Sequence, residues 1–203
     1  MQDYVIDDNV FSDKRRTEMI DGKIYLMASP SDEHVNIQEN LYNIFNDYFR
    51  KGNKKCIVKF TKDLYINRKN WLTPDLLIYC RNNNEKKNKN VPLIVVEILS
   101  ESTWKRDVTV KMKKYAEMGI EEYWIIDPDT QRLTIYKLED DKYEQSELYY
   151  LPVENTEMSE EEKECVAQLY PKEDIITEFT PAYFPELTIS LEDIFNFENL
   201  DIL

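Results

Sequence analysis

The chain has 203 residues, 42% hydrophobic and 12% aromatic, enough to bury one core. Three glycines exclude Gly-rich phosphate and dinucleotide loops, a single histidine with three scattered cysteines excludes a structural zinc site, and no apolar run approaches the ~18 residues of a membrane span. The net charge of −14 is uneven: residues 153–203 hold 14 acidic and 2 basic residues, so the rest is nearly neutral and can carry a basic working face.

Residues 1–14 are polar, without the basic and apolar pattern of a secretory signal. Cys56, Cys80 and Cys165 therefore read as free thiols in a reducing compartment, and a cytoplasmic location is expected. Asp21-Gly22 makes a turn before a strand over 23–28. Ser29 to Asp32 supplies helix-start chemistry, and Ile37, Leu41, Ile44, Phe45 and Tyr48 recur at helical spacing, predicting a helix over 32–50 closed by Gly52. Cys56 to Ile66 reads as one bent strand or two short ones. Asp75 to Tyr79 and Pro92 to Leu99 lack alternation and read as central strands covered on both faces. A polar, partly basic loop, 81–90, separates them.

Ser100, Ser102 or Thr103 can cap the next helix, which carries Val108, Met112, Tyr115 and Ala116 on one face and ends at Gly119. Ile120 to Asp127 is a strand, and 131–138 with 142–151 a hairpin. The order predicts an α/β (α+β) single domain over 1–203 with a mixed sheet, 92–99 and 120–126 being parallel. Residues 153–174 read as an acidic insertion that aids solubility, and 175–203 as a segment packing back on the core.

Asp75 opens one apolar strand and Glu97 nearly closes the next. An antiparallel hairpin about a loop centred near Lys86 sets these two carboxylates directly opposite, on one face. Adjacent like charges call for a cation, and Mg²⁺ or Mn²⁺ can use two carboxylates while polarising phosphate and activating water. The alternative is a strand-end charge in solvent or paired with a lysine. A register shift of one residue would separate the pair.

Pro74-Asp75-Leu76-Leu77-Ile78, Val91 to Ser100 with Glu97, then Asp107, Lys111, Tyr115, Gly119 and Glu122-Tyr123-Trp124-Ile125-Ile126-Asp127-Pro128 resemble the Uma2 family of the PD-(D/E)XK nuclease superfamily. Glu18 to Met27, Ser29-Pro30, His34 and, less closely, Pro185 to Phe195 are similar too. The resemblance implies a restriction-endonuclease-like mixed central sheet with flanking helices, and metal-dependent hydrolysis of DNA phosphodiester bonds. Asp75 and Glu97 fall on the metal-binding acids.

One departure stands out: the usual lysine two residues after the second acid is Leu99 here. Lys111 can replace it if the helix returns over the strand end; otherwise it pairs with Asp107 on a solvated face. His34 can hydrogen-bond a phosphate, relay a proton or support the metal, and Glu18 can complete the metal's surroundings; both can equally be structural. Tyr115, Tyr123 and Trp124 read as core. Arg81, Lys86, Lys87, Lys89, Lys105, Arg106, Lys113 and Lys114 are candidate phosphate contacts. The expected catalytic set is Asp75, Glu97, Lys111, His34 and Glu18, with a homodimer expected by analogy. The competing reading is a nuclease-fold protein that binds nucleic acid or a protein partner without cutting.

Overall fold

Asp21 and Gly22 both take positive φ (50° and 82°), the geometry of a tight two-residue hairpin turn. They join strands β1 (Thr17–Ile20) and β2 (Lys23–Leu26). A computed structural model describes this chain over residues 16–52, 54–60, 62–81, 91–152, 159 and 175–197. The chain folds as two compact units, one of Met1–Ser29 with Asp63–Thr73 and one of Pro30–Lys62 with Pro74–Leu203.

In the smaller unit, β1 and β2 join β4 (Leu64–Asn67) and β5 (Asn70–Leu72) in a sheet ordered β2-β1-β5-β4. The stretch from Cys56 to Ile66 is thus two strands in two sheets.

In the larger unit, the Ser31 hydroxyl accepts from the His34 amide and starts helix α1 (Asp32–Lys51). His34, Ile37, Gln38, Leu41, Phe45 and Phe49 form its buried stripe. The central sheet has six strands in the order β10-β9-β8-β7-β6-β3. These are β3 (Cys56–Phe60), β6 (Leu76–Cys80), β7 (Ile94–Ile98), β8 (Glu122–Asp127), β9 (Arg132–Glu139) and β10 (Lys142–Tyr150). β7 and β8 are parallel and the other pairs antiparallel, so the sheet is mixed.

Alternation along the central strands assigns their two faces. Leu76, Ile78, Ile94, Val96, Ile98, Trp124 and Ile126 join the stripe of α1 in the main core. Phe45 contacts Trp124, Phe49 and Phe184 there, and Phe179, Leu187, Ile189 and Leu191 close it from the C-terminal segment. That segment includes β11 (Glu178–Phe179), β12 (Ile189–Ser190) and α4 (Leu191–Ile194). On the opposite face, Tyr123 packs edge-on against Tyr115 of the second helical region.

That region runs through α2 (Trp104–Arg106), a π-helical stretch (Asp107–Lys111) and α3 (Met112–Glu117), and Gly119 follows with φ 74°. The apolar pattern pointed Val108 and Met112 inward. Tyr115 and Ala116 are buried as expected, but Asp107 and Lys111 take the places of Val108 and Met112. The π stretch, which is i→i+5 bonded, under-winds the helix and changes which side faces the sheet.

The free-thiol expectation fails for Cys56 and Cys80, which form a disulfide. They are directly opposite on β3 and β6, with Cα atoms 4.1 Å apart, so the antiparallel register brings the sulfurs together. Cys165, the acidic segment apart from Ser159, and Lys86, Lys87 and Lys89 lie outside the described residues. No helix among the described residues is long and apolar enough to cross a membrane.

Candidate functional site

Leu76 pairs with Val96, Leu77 with Val95 and Ile78 with Ile94. Asp75 immediately precedes β6, one residue beyond the last pair of this register. There the Asp75 side chain bonds across to β7: Oδ2 accepts from the Ile98 amide at 2.8 Å. Oδ1 lies 3.0 Å from His34 Nε2, and a carboxylate can only accept, so the ring proton sits on Nε2. One turn along α1, Gln38 donates to the Asp75 carbonyl at 2.7 Å. Two side chains from the first turns of α1 thus grip the backbone and carboxylate of Asp75.

Glu97 lies between Val96 and Ile98, so it faces away from the main core, toward the second helical region. Its Oε1 accepts from Lys111 Nζ at 3.0 Å and from the Tyr115 hydroxyl at 2.5 Å. Lys111 also lies 3.0 Å from Asp107 Oδ1, and Thr103 donates to Asp107 Oδ2 at 2.7 Å. Thr103, Asp107, Lys111 and Tyr115 follow at four-residue intervals and form one continuous polar ladder ending on Glu97. Lys111 is not on a solvated face: it is 1% exposed, as is Asp107. Lys111 pairs with Asp107 and reaches Glu97 on β7, and the solvated-face alternative fails because both side chains are buried.

Burial raises the Asp107 carboxyl above its ordinary range, with Lys111 and Thr103 opposing and Asp75 adding to the rise. Tyr123 donates to the Asp107 carbonyl at 3.1 Å. Its phenol is pushed well above the usual value by burial, and then by Glu97, Asp107 and Asp75. All three carboxylates are under 5% exposed; Glu97 and Asp107 share the Lys111 ammonium, while Asp75 is held by His34 and the Ile98 amide. Such a carboxylate excess suits a hard divalent cation, and Mg²⁺ needs only one or two protein carboxylates. Asp75 and Glu97 are the residues that could hold it. Among the described residues, no group of three or more His, Cys, Asp or Glu is arranged as a metal cluster.

Glu18 belongs to the smaller unit, where its buried carboxylate accepts from the Thr73 amide at 3.0 Å. Leu99 contributes no polar side chain, while its amide bonds to the Ile126 carbonyl at 2.8 Å. The roles of Gln38, Thr103 and Tyr115 escape a sequence reading. The four-residue spacing of Thr103, Asp107, Lys111 and Tyr115 was the available signal.

The six-stranded mixed sheet with helices on both faces is the restriction-endonuclease-like fold. The chain belongs to the Uma2 family, whose model, described as "Putative restriction endonuclease", matches residues 2–165. It is similar to "Uncharacterized protein slr1290" of Synechocystis sp., at 27% identity over 131 residues, covering 63% of this chain and 69% of that one. Among solved structures it resembles "a putative nuclease belonging to DUF820" from Anabaena variabilis. That match has a TM-score of 0.63 and 20% identity over 93% of this chain and 96% of that one, a likeness of fold.

Proposed function

We propose that this protein is a Mg²⁺- or Mn²⁺-dependent endonuclease that hydrolyses DNA phosphodiester bonds. The observation that carries this reading is the placement of Lys111, whose ammonium lies 3.0 Å from Glu97 Oε1. The helix supplies from outside the strand the cation that Leu99 cannot.

In this reading Asp75 and Glu97 would hold the ion, which would supply the charge that polarises phosphate and activates water. The Ile98 amide and His34 fix the Asp75 carboxylate, and Lys111 with Tyr115 fixes that of Glu97. Lys111 orients the attacking water by hydrogen bonding and offsets negative charge as it grows on the phosphoryl oxygens. The water gives up a proton as its oxygen bonds to phosphorus, one bridging P–O bond breaks, and the leaving oxygen takes up a proton, so the net change is addition of one water across that bond.

The test is nicking of supercoiled plasmid by purified protein with Mg²⁺ or Mn²⁺, against EDTA. Wild type should nick; Glu97→Gln and Lys111→Met should not. A second reading, a nuclease-fold protein that binds nucleic acid or a partner without cutting, is favoured by Leu99 and the net charge of −14. It requires a wild type that does not nick with either ion.

A further inference from the structure

Trp104 opens α2 and is 45% exposed, whereas Tyr115, Tyr123 and Trp124 are fully buried. In a regular α-helix Trp104 would share a face with Lys111, seven residues on. The π-helical stretch between them delays the rotation and turns the indole off the buried face. Lys105 Nζ stands 5.5 Å from the centroid of the Trp104 ring, and Arg106 follows it in the chain. An exposed indole and a cation are therefore held together.

Their position relates directly to the carboxylates. The amides of Thr103 and Trp104 both bond to the Ser100 carbonyl, two residues beyond Ile98, whose amide holds Asp75. Seven residues of helix from Trp104 to Lys111 span about 10 Å.

We propose that Trp104 is a stacking platform for one unpaired base of a nucleic-acid strand, with Lys105 contacting a neighbouring phosphate. The preferred substrate of the site is then a strand with an unpaired or extruded base. Every base presents a π face, so the platform accepts bases without sequence preference, and an adjacent cation matches the strand's charge. This inference deepens the nuclease reading and rests on it.

The test measures fluorescence anisotropy of a labelled oligothymidine strand and a labelled blunt duplex, with Ca²⁺ in place of Mg²⁺. Trp104→Ala should weaken strand binding about tenfold, with Trp104→Phe largely restoring it. Duplex binding should change far less. Lys105→Ala should weaken both probes alike. Equal losses on both probes with Trp104→Ala, no loss, or no rescue by phenylalanine overturns the platform. So does a wild type that binds neither probe, or light scattering in which Trp104→Ala breaks a dimer, because the indole then serves a second copy. Wild-type nicking with unchanged strand affinity in Trp104→Ala defeats the platform alone. Trp104-dependent binding without nicking defeats cleavage and leaves the platform standing.

Discussion

The Lys111 ammonium lies 3.0 Å from Glu97 Oε1, joining the π-helical stretch to the central strand β7. Both side chains are buried, Lys111 at 1% and Glu97 at 2% exposure. Removing one partner of a buried pair strands the other charge, and here Lys111 serves two carboxylates. Lys111→Met should cost about 3–5 kcal/mol in urea unfolding. A loss below about 1 kcal/mol would mean that the pair contributes no more than a solvent-screened surface pair.

If Asp75 and Glu97 hold a cation, that cation binds only the folded chain. The wild type should gain about 2.7 kcal/mol of stability at a hundredfold excess of Mn²⁺ over its dissociation constant. Asp75→Asn and Glu97→Gln should gain much less under the same conditions. Equal gains in thermal melts of all three proteins would place the ion elsewhere.

Cys56 and Cys80 close a loop with a sequence separation of 24 and tie the edge strand β3 to β6. Chain-entropy arguments give such a crosslink about 3 kcal/mol. Dithiothreitol, or Cys56→Ser with Cys80→Ser, should lower stability by about that amount. A double variant as stable as the oxidised wild type contradicts the crosslink.

Glu122 is 1% exposed, and its Oε2 accepts from Trp124 Nε1 at 2.9 Å. Burial raises its carboxyl above the ordinary glutamate value of 4.5, while Trp124 and Lys137 work against the rise. A raised carboxyl binds its proton more tightly in the folded state, so stability falls as pH climbs from about 4.5 toward the folded value. Glu122→Gln keeps an acceptor for Trp124 and removes the charge. It should raise the melting temperature at pH above neutrality and change it little in acid. A gain that does not depend on pH would show that packing, not charge, limits Glu122.

Much of the scaffold could be read from local pattern. Ser31 and the stripe of Ile37, Leu41 and Phe45 define α1, and the apolar runs around Leu77 and Val95 define strands buried on both faces. The β6–β7 register follows from the same runs. What escaped were the features set by tertiary partners. Helical periodicity counts apolar residues, so it chose Val108 and Met112 over Asp107 and Lys111, whose burial depends on the charges they meet. The disulfide depends on β3 pairing with β6 across an excursion into another sheet. The polar ladder from Thr103 to Glu97 needed both the helix's underwinding and the position of β7 beneath it.

The central claim is that Asp75 and Glu97 together hold the ion that acts on phosphate. Anomalous scattering from crystals of the full chain soaked in Mn²⁺ tests it most directly. The account predicts one strong anomalous peak within coordination distance of both carboxylates, about 2.0–2.2 Å for a small hard cation, and its loss in Glu97→Gln crystals. No peak at the pair, or a peak that persists in the glutamine variant, would contradict it.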